Sequence, residues 1–206
     1  MLVRLTVEMP LAQPLLNSGG AAAVLFWGLC SIWIAGELLL RVRSLFQRGA
    51  RRDRGSFFVL VASIALGFAI AGAVTRSAPG AGIRSGRDAV FPIGLTVLAV
   101  GVALRFYAVI VLGRFFTLVV MTRSDQHVVD TGPYRWIRHP SYTGFLLALA
   151  GVMLAYANWL APIGVLPALA GFLYRIQVEE RVLSADLGDS YRSYMRRTKR
   201  LLPFVY

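Results

Sequence analysis

Residues 132–144 are Gly-Pro-Tyr-Arg-Trp-Ile-Arg-His-Pro-Ser-Tyr-Thr-Gly, and they stand directly before a long apolar run. No charged side chain lies between Tyr142 and Arg175. As one straight helix, the uncharged residues 143–174 would reach about 48 Å, whereas the hydrocarbon core of a bilayer is about 30 Å thick. The run therefore predicts a hairpin of two short membrane helices, with a polar cluster at each end brought to one membrane face.

The rest of the chain also predicts a membrane protein. Five apolar segments stand out, at residues 21–40, 57–74, 90–112, 145–160 and 161–176. The 206 residues are 57% hydrophobic, which is high for a soluble domain. We predict an all-α integral membrane protein of about five transmembrane helices, with a short C-terminal helical hairpin and a cytoplasmic amphipathic tail helix. It forms one domain (1–206), in which a three-helix part (1–112) precedes the catalytic loop, hairpin and tail (113–206).

Arginine is concentrated in alternating connections between these segments. Residues 41–54 and 113–142 and the C-terminal tail are arginine-rich, and Asp53 is the lone acidic residue of the first connection. The positive-inside rule then places the C-terminus in the cytoplasm and, with five spans, the N-terminus outside. This topology accounts for the formal charge of +12, so we infer membrane lipid and no nucleic acid as a partner. The sequence carries no signal for an oligomeric state.

Cysteine and histidine are scarce. Cys30 is the single cysteine, which excludes an internal disulfide and a zinc site built on thiolates. His127 and His139 are the only histidines, and two are too few for a structural metal site. We therefore predict no metal.

Small residues recur at spacings of three and four along both helices of the hairpin. They are Gly144, Ala148 and Gly151 on the first, and Gly164, Ala168 and Gly171 on the second. This spacing indicates close approach of helix backbones, although glycine is frequent in membrane helices anyway.

Candidate functional side chains flank the hairpin. The connection before it carries a polar group comprising Gln126, His127, Tyr134, Arg138, His139 and Tyr142. Its Arg, Tyr and Trp residues would suit interfacial anchoring, but the histidines and the glutamine add polarity that anchoring does not need. Pro140 suits the first turn of the following helix.

Arg175 and Glu179 are four residues apart and share a face of the last helix. They could form a simple ion pair, but ionisable groups beside membrane segments more often face a cavity and mark function. Glu180 points about 100° away on a helix and is the weaker candidate. Glu37 and Arg105 could pair or extend to the surface, and we interpret both as structural.

Residues 186–197 predict a short amphipathic helix, which could lie on anionic lipid or cover a site. Four motifs follow one another between about residues 126 and 203. In chain order they are Gly-Pro-Tyr, Arg-His-Pro-Ser-Tyr-Thr-Gly, Arg-x-x-x-Glu-Glu and Leu-Gly-x-x-Tyr-x-x-Tyr, the last of which lies in this tail helix. Together these motifs resemble the isoprenylcysteine carboxyl methyltransferase family and its relatives, the phosphatidylethanolamine N-methyltransferases. The N-terminal helices match only in being apolar.

The resemblance implies S-adenosylmethionine as methyl donor, bound without a Rossmann fold. It assigns donor contacts to Gln126, His127, Val128, Val129, Tyr134, His139, Pro140, Ser141, Tyr142 and Glu179. It assigns the substrate-contacting and catalytic role to Arg175. One departure is that Gln126 stands where many members have a histidine, so either Gln126 or His127 takes that role.

The implied chemistry is methyl transfer to a lipophilic acceptor at the cytoplasmic face, most simply to a carboxylate of an isoprenylcysteine-like or other prenyl or lipid substrate. A carboxylate needs no base, whereas an amine or thiol acceptor would make a tyrosine or histidine base more important. Two other interpretations stay open, namely an NADPH-dependent reductase of the sterol-reductase type and a non-enzymatic membrane protein.

Overall fold

The computed structural model describes residues 20–46, 50–51, 53, 55–83, 87–118, 121–122, 125 and 127–203. Within these ranges lie five α-helices: α1 (Ala21–Leu45), α2 (Ser56–Ser77), α3 (Arg87–Leu112), α4 (Pro140–Ala155) and α5 (Val165–Arg197). Two short strands, β1 (Ala50–Arg51) and β2 (Met121–Thr122), pair antiparallel between the connections. The helices follow the five predicted apolar segments in order. By length and composition, α1, α2, α3 and the segment that contains α5 could each cross a membrane, and α4 is a shorter apolar helix.

The hairpin of α4 and α5 differs from the predicted one in its boundaries. α4 begins at Pro140, which was predicted to suit its first turn, but it ends at Ala155 rather than at residue 160. A 3-10 turn at Ala161–Gly164 then precedes α5. α5 has 33 residues, or about 50 Å, so it extends well beyond a hydrocarbon core of about 30 Å. The amphipathic tail helix is thus the continuation of α5. The two parts meet at Gly188, whose φ of 58° and ψ of −131° are non-helical and suit a residue without a Cβ atom.

The small residues of the hairpin do permit close packing, but each helix packs on an earlier one. A Cβ atom at Gly144 of α4 would lie 2.5 Å from the backbone nitrogen of Arg105 in α3. On α5, a Cβ atom at Gly171 would lie 2.8 Å from the Ser63 side chain of α2. α4 is therefore held against α3 and α5 against α2, which leaves room between the two packed pairs.

α1 closes one side of that room. Its buried Phe26, Cys30 and Trp33 belong to the same apolar cluster as residues of α3 and α4. The rings of Trp33 and Phe145 meet edge to face with their centroids 5.0 Å apart. These contacts place the C-terminal part of α1 opposite the polar start of α4.

The two charged residues inside apolar spans pair with each other, which was one of the two alternatives that the sequence left open. Arg105 Nε donates to Glu37 Oε1 at 2.9 Å and Nη2 donates to Oε2 at 3.0 Å. Arg105 Nη1 also donates to the Ser141 hydroxyl. The pair thus ties α1 and α3 to the first turn of α4.

The chain after α5 returns to the loop before α4. Arg138 N donates to the Lys199 carbonyl at 2.7 Å, and His139 N donates to the Arg200 carbonyl at 3.0 Å. Glu180 lies beneath this junction, where it pairs with Arg138 at 2.8 Å and with Arg200 at 3.0 Å. Glu180 therefore links the loop before α4 to the chain after α5. From the sequence it was the weaker candidate for a functional residue.

Candidate active site

A polar cavity of about 70 Å³ lies between the loop before α4 and the C-terminal part of α5. Its walls include six of the predicted donor-contacting residues: His127, Val128, Val129, Tyr134, His139 and Glu179. Leu187, Tyr191 and Tyr194 from the far end of α5 complete it. The two polar clusters that flank the hairpin thus meet, as the sequence predicted.

Glu179 offers this cavity a carboxylate oxygen. Its Oε2 accepts a hydrogen bond of 2.6 Å from the Tyr142 hydroxyl and lies 3.8 Å from His139 Nδ1. Its Oε1 has no partner among the described residues, and the side chain is 27% exposed. The uncommitted oxygen is therefore available to a cationic or hydroxyl group in the cavity.

Two tyrosine hydroxyls at the cavity are also uncommitted. Tyr134 and Tyr191 are 5% and 4% exposed, and neither hydroxyl has a hydrogen-bond partner in the described part of the chain. Burial raises the pKa of Tyr134 above its ordinary value, and the nearby Glu179 charge adds to the effect. The Tyr134 hydroxyl therefore stays protonated. Because buried polar groups are normally hydrogen-bonded to protein or to water, these two hydroxyls are available to water or to a polar ligand in the cavity.

Arg175 is buried and held from several directions. Its Nε donates to the Tyr142 hydroxyl at 2.9 Å, and Nη1 donates to Asp53 Oδ1 at 3.0 Å and to Ser56 Oγ at 3.2 Å. Its Nη2 donates to the Leu118 carbonyl at 2.5 Å. A guanidinium has five N–H groups, so these contacts use four and leave one on Nη2.

Arg175 and Glu179 do not pair directly in the described structure. The Tyr142 hydroxyl stands between them, accepting from Arg175 and donating to Glu179. The simple ion pair considered from the sequence is thus replaced by a three-residue relay. This relay fixes the relative positions of the two candidate ligand-binding groups.

A second cavity, of about 620 Å³ and mostly apolar, lies among α1, α2 and α4. Several of its lining side chains are exposed, namely Trp27, Ile34, Leu38 and Val61. The cavity is therefore open between α1 and α2. Its volume falls within the range of about 300–1,000 Å³ that is usual for small-molecule sites.

The two cavities share a wall. Arg175 and Thr117 line both of them, while Tyr142 lines the apolar cavity and contacts Glu179 of the polar one. A polar ligand on one side and a lipophilic ligand on the other would thus meet at Arg175.

Comparison with known proteins shows what the chain is similar to. The model of the isoprenylcysteine carboxyl methyltransferase family matches residues 93–185. A protein-S-isoprenylcysteine O-methyltransferase B of Arabidopsis thaliana is 36% identical over 115 residues, which cover 54% of this chain and 58% of that protein. A protein-S-isoprenylcysteine O-methyltransferase of Xenopus laevis is 34% identical over 116 residues, covering 55% and 40%.

Residues 93–185 thus resemble the isoprenylcysteine carboxyl methyltransferase family. The resemblance inferred from the motifs is confirmed. The chain spans less than two thirds of the length of the curated relatives it matches, for example 58% and 61% of two plant proteins.

The fold is also that of a solved family member. The structure of the eukaryotic intramembrane Ras methyltransferase ICMT matches with a TM-score of 0.63 and 23% sequence identity, covering 95% of this chain and 72% of that one. This match and the apolar helices confirm the predicted all-α, multi-pass membrane fold.

The family segment contains every site residue predicted from the sequence, but the structure distributes them unequally. Six line the polar cavity and Arg175 lines both cavities, whereas Tyr142 lines the apolar one. Among the described residues, Pro140 and Ser141 line neither cavity; Pro140 is packed in the interior and Ser141 binds Arg105. Gln126 lies outside the described residues. That either Gln126 or His127 takes the role of the family histidine therefore stays a prediction.

Several residues of the site were not among the predicted site residues, and some of them lie outside the matched family segment. Asp53 and Ser56 come from the connection and helix before it. Tyr191 and Tyr194 come after it, in the tail helix for which the sequence offered covering a site as one of two alternatives. Asp53 did carry a signal, because it is the lone acidic residue in an arginine-rich connection. Leu118 contributes only a backbone carbonyl, which no side-chain pattern could reveal.

Proposed function

We propose that this chain transfers a methyl group from S-adenosylmethionine to the carboxylate of a lipophilic, prenylcysteine-like acceptor at the cytoplasmic membrane face. The observation that carries the proposal is the shared wall at Arg175 and Thr117, with a polar cavity on one side and an apolar cavity on the other. The curated relatives are named as S-isoprenylcysteine O-methyltransferases, which supports the same reaction class.

The residues of the polar cavity fit the donor. Glu179 Oε1 suits the donor's ammonium or ribose hydroxyls, and the free hydroxyls of Tyr134 and Tyr191 suit its other polar atoms. Bound there, S-adenosylmethionine would supply a methyl carbon that its sulfonium has already activated, so a carboxylate acceptor needs no base.

The polar cavity would have to widen to hold the donor, since its volume of about 70 Å³ is well below the range of about 300–1,000 Å³ that is usual for small-molecule sites. Leu187 and Tyr191 line it on either side of the non-helical Gly188. We infer that the end of α5 moves at Gly188 when the donor enters.

The apolar cavity fits the acceptor's hydrocarbon tail. The acceptor would enter sideways from the lipid between α1 and α2, with its carboxylate directed towards Arg175. The four protein contacts of Arg175 leave one Nη2 N–H for the acceptor. Arg175 would therefore orient the carboxylate by one charge-assisted hydrogen bond.

The chain's own contribution to the chemistry is alignment and exclusion of water. Tyr142 couples Arg175 on the acceptor side to Glu179 on the donor side through hydrogen bonds of 2.9 and 2.6 Å. The relay would hold the acceptor oxygen and the donor in line.

The orientation follows from charge. Arginine-rich connections and the basic tail put the site and the C-terminus in the cytoplasm and the N-terminus outside. Both halves, 1–112 and 113–206, supply residues to the apolar cavity, which supports a single membrane domain.

Donor binding tests this proposal against the reductase and non-enzymatic alternatives. Protein purified in detergent is titrated by calorimetry with S-adenosylmethionine and, separately, with NADPH. We expect saturable binding of S-adenosylmethionine alone. Binding of NADPH alone, or of neither ligand, would contradict the proposed function.

A further inference from the structure

Arg41 stands at the edge of the apolar cavity, near the C-terminal end of α1. Its side chain is exposed, and it lines the cavity together with Phe57 of α2. The Arg41 Cζ atom lies 4.8 Å from the centroid of the Phe57 ring. This is a cation–π contact, which orients the guanidinium without neutralising it.

The other charges at this cavity are already paired. Both carboxylate oxygens of Glu37 accept from Arg105, and Arg175 pairs with Asp53 at 3.0 Å. Arg41 has no carboxylate partner in the part of the chain that the structure describes. The apolar cavity thus has one surplus cation, which favours an anionic ligand.

Arg41 and Arg175 lie at the same end of the cavity. Asp53 Oδ2 accepts from the Phe57 backbone nitrogen at 3.0 Å, and Asp53 Oδ1 pairs with Arg175. One carboxylate therefore positions both the ring beneath Arg41 and the guanidinium of Arg175. A group that enters past Arg41 is close to the wall shared with the polar cavity.

We propose that Arg41 is a specificity residue that captures the carboxylate of a lipid-tailed acceptor as it enters the apolar cavity. This inference rests on the proposed function and adds to it a reason for selecting acids over neutral or cationic amphiphiles. Methylation removes the negative charge of the acceptor, so the ester product loses this attraction and leaves more readily than the acid.

The test measures acceptor binding without donor. The full-length protein in nanodiscs of phosphatidylcholine, a zwitterionic lipid, is titrated with tritiated N-acetyl-S-farnesylcysteine and, separately, with its methyl ester. We expect Arg41→Gln to weaken binding of the acid about tenfold, equivalent to about 1.4 kcal/mol, and to leave binding of the ester unchanged. Arg41→Lys should retain most of the acid's affinity because the charge remains.

Arg43→Gln is the matched control. Arg43 is exposed two residues further along α1 and donates to the Gly113 carbonyl at 2.9 Å, and it does not line either cavity. The Arg43→Gln variant should bind both the acid and the methyl ester with wild-type affinity. Retained ester binding by Arg41→Gln would show that this variant is folded.

Four results would overturn the inference. The first is unchanged acid affinity in Arg41→Gln, and the second is an equal loss for acid and ester, which would mean that Arg41 only supports packing. The third is an effect confined to nanodiscs that contain phosphatidylserine, because Arg41 would then bind lipid headgroups. The fourth is wild-type protein that binds neither probe. Failure of donor binding with normal acid selectivity would count against the proposed function instead.

Discussion

Tyr142→Phe removes one hydroxyl from the centre of the site and leaves the ring in place. The ring stacks on His139 with centroids 5.3 Å apart and packs against Phe172 at 4.9 Å. Phenylalanine keeps both contacts. The substitution therefore isolates the relay between Arg175 and Glu179.

The size of the effect follows from the two lost hydrogen bonds. Arg175 is 2% exposed, so its Nε would become an unsatisfied buried donor at a cost of about 1–3 kcal/mol. Glu179 is 27% exposed on its side chain, so water can replace much of its lost bond. We expect the free energy of unfolding to fall by about 1–3 kcal/mol, and turnover to fall at least about tenfold, or about 1.4 kcal/mol in the transition state.

The assay combines turnover, measured with labelled donor, and thermal unfolding in the same detergent. Tyr174→Phe is the control, because Tyr174 precedes Arg175 on α5 but is 41% exposed and lines neither cavity. Wild-type turnover in Tyr142→Phe, or equal losses in both variants, would refute the reasoning that the relay aligns donor and acceptor.

Other consequences can be checked separately. Glu179→Gln should weaken donor affinity by about 1.5–3 kcal/mol in calorimetry without loss of fold; unchanged affinity would remove Glu179 from the site. Arg175→Lys should lower turnover at least about tenfold, since lysine cannot reproduce the forked contacts, while donor affinity changes little; the reverse pattern would reject the division of roles. Reporter fusions after Arg54, Arg84 and Tyr206 should report inside, outside and inside, and a cytoplasmic signal at Arg84 would reject the topology.

The helices were predictable because their signals are local. Apolar length predicts a span, and a charge-free run longer than a bilayer predicts a hairpin. The bounds were harder. Pro140 indicated the first turn of α4, but the apolar composition continues to residue 160 although the helix ends at Ala155. The length of α5 was not predicted, because its polar second half differs in composition from its apolar first half and was interpreted as a separate helix.

Packing partners were not predictable from spacing. Gly144 and Gly171 indicate close contacts, but nothing in their own helices indicates that α3 and α2, respectively, provide the opposite surface. The candidate site shows the same limit. Motifs marked Glu179 and Arg175, whereas their link through Tyr142 and the anchoring of Arg175 by Asp53 depend on tertiary contacts.

The most direct measurement is transfer of a labelled methyl group by the purified full-length protein. S-adenosylmethionine carrying a tritiated methyl group is incubated with N-acetyl-S-farnesylcysteine, and the lipid product is treated with alkali. We predict a labelled product that releases volatile methanol, because a methyl ester is hydrolysed by base. No transfer, or a labelled product that resists alkali as a methylated amine or thioether would, contradicts carboxyl methylation.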